Sequence, residues 1–400
     1  MLELLSKFEE NAQTVLLLMK RTVGAKTFFI ASTQQNRFKI LQVINEEGGC
    51  NIPPSVDEPV EKSYCNIVAN SKKPLLIKDT SKSELVRNLE VTNIFTIGSY
   101  LGVPIFLENG SVFGTLCALD PDPYKLKAED IPILEGFSQL ISSEIKLEEK
   151  AVKLKKYEMQ TEIELELARK VQQSVLNAPY HDNYLDIKYI YTPSTQLSGD
   201  VCSWYKIKEG LYGVIVLDVM GHGVSSALIG MAISPILEDI ITTCIDPDKV
   251  MEQLNKELFH LFNDKKEILS YVTGIYVTLD FNNNKINFLN AGHPPAVLVN
   301  SNQISFIDKG SIPLGIFETL KKEVGEFPLE EETEIILYTD GLMDFLHKNK
   351  EHPGDTIAKH YQLAKREQKT TINYFRELIE AEETHEDDIC LVSVKVLDSL

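Results

Sequence analysis

Four aspartates interrupt apolar or glycine-rich stretches in a pattern suited to metal chemistry. Val214-Ile-Val-Leu-Asp218-Val-Met-Gly-His-Gly223 puts a carboxylate at the end of a β-branched run, just before a glycine-rich turn. Glu334-Ile-Ile-Leu-Tyr-Thr-Asp340-Gly-Leu-Met-Asp344 repeats the design. His385-Glu-Asp387-Asp388-Ile-Cys-Leu-Val-Ser-Val sets paired acids before a final strand, and Leu197-Ser-Gly-Asp200 adds another after a short loop. Carboxylates at the mouths of buried strands cannot stay ionised cheaply without a partner. No lysine or arginine adjoins them in these motifs, which leaves a divalent cation as the natural counter-charge. All-oxygen donors suit Mg²⁺ or Mn²⁺, and two such ions about 4 Å apart can serve in-line attack on phosphorus. One such aspartate alone more often caps a turn; four in matching contexts argue for chemistry.

The segments that must position these acids read as short β-branched and aromatic strands. They cover 185–191, 211–218, 271–281, 285–289, 296–300, 334–339 and 389–397, with helices over 225–243 and 247–262. Strands separated by turns, without regular helical crossovers, favour an α+β layered sandwich over a wound parallel sheet. Ahead of them, Phe137 to Ala178 is heavily charged and contains neither glycine nor proline. Ile145, Val152 and Met159 recur at every seventh position, a coiled-coil seam; Ile163, Leu167, Val171 and Val175 follow at every fourth and drift round the helix. A long linker helix that dimerises imperfectly is expected, the alternative being a solvated single helix.

Before the linker, an opening helix to Lys20 leads into strands over 27–32, 37–45, 73–79, 99–107 and 111–120, with a helix over 63–70 and a hairpin turn at Asn109-Gly110. Cys65, after Tyr64, invites a chromophore or redox reading, but a buried structural thiol is favoured, since free cysteine is among the most buried residue types. No residue of this half is assigned a binding role.

A chain of 400 residues suggests two or three domains. At 43% hydrophobic and 25% charged residues, its composition is that of an ordinary globular protein. A formal charge of −19 disfavours nucleic acid and anionic membrane as partners. The six cysteines contain no Cys-x-x-Cys pair, so reduced thiols in a cytosol are expected. No basic leader and no stretch near about 18 apolar residues stands out, which points to a cytoplasmic protein.

Two resemblances sharpen this reading. The order of elements in residues 1–145, with Gly102-Val-Pro-Ile105 and Gly114-Thr-Leu-Cys-Ala-Leu-Asp120, resembles a GAF domain. From Glu164 onward the chain is similar to the SpoIIE-type branch of the PPM metal-dependent serine/threonine phosphatases. Glu164 to Leu176 resembles the regulatory helix of that branch. Gly199-Asp200, Asp218-Val-Met-Gly-His-Gly, Asn290-Ala-Gly-His-Pro-Pro295, Pro313-Leu-Gly315, Thr339-Asp-Gly-Leu-Met-Asp344 and Asp387-Asp388 then follow in order. The resemblance implies an α+β chain in three parts. These are a GAF sensory domain over 1–145 with an antiparallel sheet and helices, a helical or coiled-coil linker and regulatory helix over 146–178, and a PPM β-sandwich flanked by helices over 179–400.

It also implies a site with two ions, Mg²⁺ or Mn²⁺. Asp218 would bridge both, the Val219 carbonyl would bind the second, Asp340 and Asp387 would complete the first, and Asp200 would act directly or through a water. Ser203 departs from the second acid that many relatives carry, which weakens one metal–water contact. Histidine is the usual side chain for protonating a leaving alkoxide near neutral pH, a role open to His222. Its offset from Asp218 favours packing at the helix start instead, and His293 is expected to fix its tight turn. The implied activity is removal of phosphate from a serine on a STAS-type anti-sigma factor antagonist by a homodimer, under control of a GAF ligand. A weak or inactive ligand-gated scaffold is the alternative, hinted at by Ser203; cyclic-nucleotide hydrolysis lacks the His/Asp spacing it needs.

Overall fold

The computed structural model describes residues 2–263, 270–301, 303–346, 352–382 and 385–397, with side chains from Asn11 onward. The chain divides into two compact units, Met1–Gln160 and Thr161–Leu400.

In the first unit, β1 (Thr27–Ser32), β2 (Arg37–Asn45), β3 (Asp57–Pro59), β4 (Leu75–Ile77), β5 (Ser99–Phe106) and β6 (Val112–Asp120) form one antiparallel sheet in the order β3-β2-β1-β6-β5-β4. Its helices are α1 (Leu2–Thr22), α2 (Tyr64–Ser71), the short α3 (Glu90–Ile94) and the start of α4 (Ile131–Ser174). Because side chains alternate along a strand, Phe28 and Ile30 meet Leu16 and Met19 of α1 and Leu134 and Ile141 of α4 on one face. Phe29 and Ala31 point the other way, toward Tyr64, Cys65 and Val68 of α2. With both faces covered, β5 and β6 are apolar along nearly their whole length.

The second unit has two sheets face to face. One contains β9 (Val201–Lys208), β10 (Leu211–Val219), β11 (Val272–Asp280), β12 (Lys285–Ala291) and β15 (Gly310–Ser311), with β16 (Gly325–Pro328) paired to β12. The other runs β14-β13-β17-β18-β8-β7, from β7 (Tyr180–His181), β8 (Leu185–Thr192), β13 (Ala296–Asn300), β14 (Gln303–Ile307), β17 (Glu334–Tyr338) and β18 (Ile389–Val396). Val214, Val216, Ile275 and Val277 interdigitate with Ile335, Leu337, Cys390 and Val392 between the sheets. On the outer face of the first sheet, Ile215 and Leu217 pack on α5 (Val224–Cys244) and α6 (Pro247–Asn263). Ile336 and Tyr338 do the same against α7 (Asp340–Leu346), α8 (Pro353–Arg366) and α9 (Thr371–Glu380).

Several expectations change. Strands β9, β14 and β16 and helices α7, α8 and α9 join the elements read from the sequence. Ile145 is buried in the first unit's core and is not part of a helix seam, whereas Val152 and Met159 are exposed. Val224–Cys244 reaches a mean hydropathy of 1.6 over a membrane-length window, although Ser225, Ser226, Ser234, Glu238 and Asp239 interrupt its apolar run. That helix buries Ile233, Leu237, Ile240 and Ile241 against the sheet, the role of a core helix.

Candidate metal and phosphoryl-transfer site

Strand register assembles the acids. Leu217 of β10 lies opposite Val201 of β9, which puts Asp218 and Asp200 at the same end of one sheet. Tyr338 of β17 lies opposite Leu391 of β18, so Asp340, Asp387 and Asp388 share one end of the other sheet. Thr339 joins the two ends. Its Oγ1 donates to Asp200 Oδ2 at 2.9 Å and accepts the Cys390 amide at 2.9 Å. The turn after β17 can lie this close because residue 341 is glycine: an added Cβ there would stand 2.1 Å from the Asp388 carbonyl oxygen.

The paired acids at the head of β18 divide their work. Asp388 is buried, and its Oδ1 accepts the Ser194 amide at 2.7 Å and the Ser194 hydroxyl at 2.8 Å. Its Oδ2 accepts the Gly199 amide at 2.8 Å, so Asp388 holds the loop that carries Asp200. Asp387 accepts the Asp388 amide at 2.8 Å and stays half-buried at the mouth.

The remaining carboxylates face one another. Burial pushes Asp200 well above the ordinary carboxylate range, and the charges of Asp218 and Asp388 add to it. Burial likewise pushes Asp218 up to about 7, reinforced by Asp340, Asp387 and Asp388. Asp340 is exposed as a residue, yet desolvation of its carboxyl and the Asp387 charge raise it too. The charges acting on Asp218 are all carboxylates, which is the electrostatic demand that a hard cation meets. Among the described residues no three of these side chains already enclose one point as a finished metal centre. The donor set nonetheless fits Mg²⁺ or Mn²⁺, which take few protein carboxylates and keep several waters.

Neutral groups tune the ring of acids. Thr273 Oγ1 lies 3.5 Å from Asp218 Oδ2 and 3.0 Å from His293 Nδ1. A negative Asp218 favours the polarity in which the ring N–H donates to the hydroxyl and the hydroxyl donates to the carboxylate. Asn290 clamps the His293 backbone, accepting its amide at 2.7 Å and donating to its carbonyl at 2.9 Å. His293 is buried, which pushes its pKa down to about 3 and keeps the ring neutral, in keeping with a loop-fixing role. His222 is exposed between Gly221 (φ 84°) and Gly223 (φ 88°), so the expected packing at the helix start is not made. A loop with two positive-φ residues holds it out in solvent, clear of the α5 interface. Ser203 is buried within β9 opposite Ile215.

One contact had no signal in the sequence. Gln172, buried near the end of α4, donates from Nε2 to the Ser198 carbonyl at 2.7 Å and accepts the Ser198 amide on Oε1 at 3.1 Å. The helix thereby grips the backbone two residues before Asp200. Thr339 was legible as part of its motif but not as a bridge between sheets, and Asp388 as an acid but not as a loop clamp.

The two-sheet sandwich with helices on both outer faces is a PP2C-like fold, and the acids converge at one mouth of it. Residues 8–145 match the GAF domain family and residues 208–397 the stage II sporulation protein E (SpoIIE) family, so a GAF domain precedes a SpoIIE-type PP2C domain in this chain. Over 209 residues it is 39% identical to the phosphoserine phosphatase RsbP of Bacillus subtilis (strain 168), covering 50% of this chain and 52% of that protein. It is 27% identical over 190 residues to the phosphoserine phosphatase RsbU of the same organism, covering 46% and 55%. The chain thus spans about half the length of the curated relatives it matches. The SiaA-PP2C domain of Pseudomonas aeruginosa has the same fold, with a TM-score of 0.50 at 18% identity over 60% of this chain and 98% of that one.

The neutral His293 has a thermodynamic consequence. Its folded pKa is depressed, so its contribution to stability is complete above the unfolded value of 6.5 and is lost as pH falls toward about 3. The stability difference between wild type and His293→Asn, measured by denaturant titration, should shrink by up to about 1.4 kcal/mol per pH unit across that window.

Proposed function

We propose that the chain is a PPM-type protein-serine/threonine phosphatase of bacterial signalling that uses two Mg²⁺ or Mn²⁺ ions. The convergence of Asp200, Asp218, Asp340 and Asp387, with no lysine or arginine in their own motifs, carries this reading. In this reading Asp218, the Val219 carbonyl, Asp340 and Asp387 would hold the ions, and Asp200 would support them directly or through water. When bound, the ions supply Lewis-acid stabilisation of the phosphoryl oxygens. Thr339 and Asp388 hold the Asp200 loop, and Thr273 with neutral His293 orients Asp218 without neutralising it.

The substrate we infer is a phosphoserine on a STAS-domain anti-sigma factor antagonist, a reading supported by similarity to two phosphoserine phosphatases. The working parts are a GAF sensor over 1–145, a linker over 146–178 and a catalytic domain over 179–400, in a cytoplasmic homodimer. Regulation by a GAF ligand or protein would pass along α4 and reach the site through the Gln172 clamp on Ser198. Dimerisation through α4 is supported by Leu140, Leu147 and Leu154, seven residues apart and 60%, 64% and 58% exposed.

Three measurements test this reading. Purified protein should hydrolyse p-nitrophenyl phosphate and a phosphoserine STAS protein only with Mn²⁺ or Mg²⁺, and Asp218→Asn should lower turnover by on the order of a hundredfold. Metal-independent turnover, or an unimpaired Asp218→Asn, would defeat the assignment; a binding partner captured without any hydrolysis would favour the scaffold alternative. Gln172→Ala should weaken Mn²⁺ binding, read by calorimetry, by roughly tenfold while leaving the melting temperature close to wild type. Leu147→Glu combined with Leu154→Glu should shift sedimentation of the full chain from dimer to monomer.

A further inference from the structure

The first unit contains a cavity of about 800 Å³ between its sheet and α2, walled by aromatic and aliphatic side chains that include Phe29, Phe38, Tyr64 and Tyr100. Cys65 lines this cavity from the first turn of α2. Behind it, from β6, Cys117 brings its Sγ to 3.7 Å from the Cys65 Sγ. The Tyr100 hydroxyl lies 3.2 Å from the Cys117 sulfur and 3.9 Å from the Cys65 sulfur, and Thr115 Oγ1 is 3.4 Å from Cys117. Gly102 makes this arrangement possible: a Cβ there would meet the Tyr100 hydroxyl at 2.1 Å, so only glycine lets the ring lie along the sheet and reach the thiols. Core packing alone does not call for two thiols and a phenol on one another at the floor of a cavity.

We propose that Cys65 and Cys117 are a redox-modification site, oxidised to an intramolecular disulfide by a small neutral hydroperoxide that enters the cavity. Cys65 meets the oxidant because it alone of the pair lines the cavity, while Cys117 lies one layer deeper. Asp57, Glu58, Glu61 and Lys62 stand at the exposed rim, where Arg37 pairs with Asp57 and Lys62 with Glu58, so the entrance is charged but largely balanced and an uncharged peroxide meets only neutral apolar and aromatic walls below it. Burial opposes ionisation of Cys65, but hydrogen bonds from Cys117, Thr115 and Tyr100 outweigh it and lower its pKa, aided by the start of α2. By contrast burial pushes Cys50 up to about 12, which leaves that thiol inert.

The chemistry balances in two steps. The Cys65 sulfur attacks one peroxide oxygen, the O–O bond breaks, and hydroxide leaves and takes up a proton as water, giving a sulfenic acid at Cys65. The Cys117 sulfur then attacks the Cys65 sulfur, the S–O bond breaks, and the hydroxyl leaves as water with the Cys117 proton. Two thiols have lost two electrons and two protons, and one hydrogen peroxide has become two waters. Closing the sulfurs from 3.7 Å to about 2 Å asks for side-chain rotation and a small approach of α2 to β6. A small-molecule thiol reverses the reaction by exchange.

The test uses the full-length reduced protein, exposed to hydrogen peroxide in modest excess, alkylated, digested and mapped by mass spectrometry. The expected product is a peptide pair joined through Cys65 and Cys117 within one chain, lost on treatment with dithiothreitol. In Cys117→Ser, oxidation should stop at a Cys65 sulfenic acid that a dimedone probe traps; in Cys65→Ser, Cys117 should stay reduced. Full alkylation of both cysteines while the half-buried Cys244 is oxidised would overturn the proposal, as would a Cys65 linkage to another chain. The wild-type map decides the matter even if a serine variant fails to fold.

Discussion

Like charges drawn together out of water repel, and the second unit is organised around holding that repulsion in place. Asp200, Asp218 and Asp340 have each had their proton affinity raised by burial and by neighbouring carboxylates. No local sequence preference would gather them. They stay together because each sits at the end of a strand whose position is fixed by the shared sandwich core and by helices on both outer faces. Strain of this kind persists where the surrounding structure over-determines it, and such places are typically functional.

The groups next to the acids are neutral donors or already satisfied anions. Thr339 bridges the sheets by giving its hydroxyl proton to Asp200, and Thr273 does the same for Asp218 with a neutral histidine behind it. Asp388 spends both oxygens on the loop before Asp200. Position is thus controlled without cancelling charge, which leaves the electrostatic field available to a divalent ion. The Gln172 clamp belongs to the same scheme, because it holds Ser198 by amide hydrogen bonds alone.

The first unit uses a different chemistry. Its cavity wall is apolar and aromatic, with charge confined to the rim, and the polar atoms on its floor are two thiols and a phenol. In sequence the two units are joined by the continuous helix α4, from Ile131 to Ser174.

Much of this was legible in residue order. Alternation placed Thr27–Ser32 and Arg37–Asn45 as strands, and the apolar runs ending at Asp218 and before Asp340 identified both strands and acids, because burial of both strand faces leaves an unbroken β-branched signature. Strand β9 was hidden by its alternating Lys206 and Lys208, and α8 and α9 were passed over although both are amphipathic, their apolar stripes finding a partner only in β13 and β18. Ile145 fitted a heptad and yet belongs to a core, since spacing along a helix does not say which neighbour meets it. The sequence by itself determined which groups are acidic, which segments are strands, and the order in which acids follow strands. Only the tertiary structure decided that Asp388 clamps a loop, that Thr339 spans two sheets, that Gln172 grips Ser198 and that Cys65 faces Cys117. Those contacts join residues distant in the chain, and their geometry is set by strand register and sheet packing, which no single segment encodes.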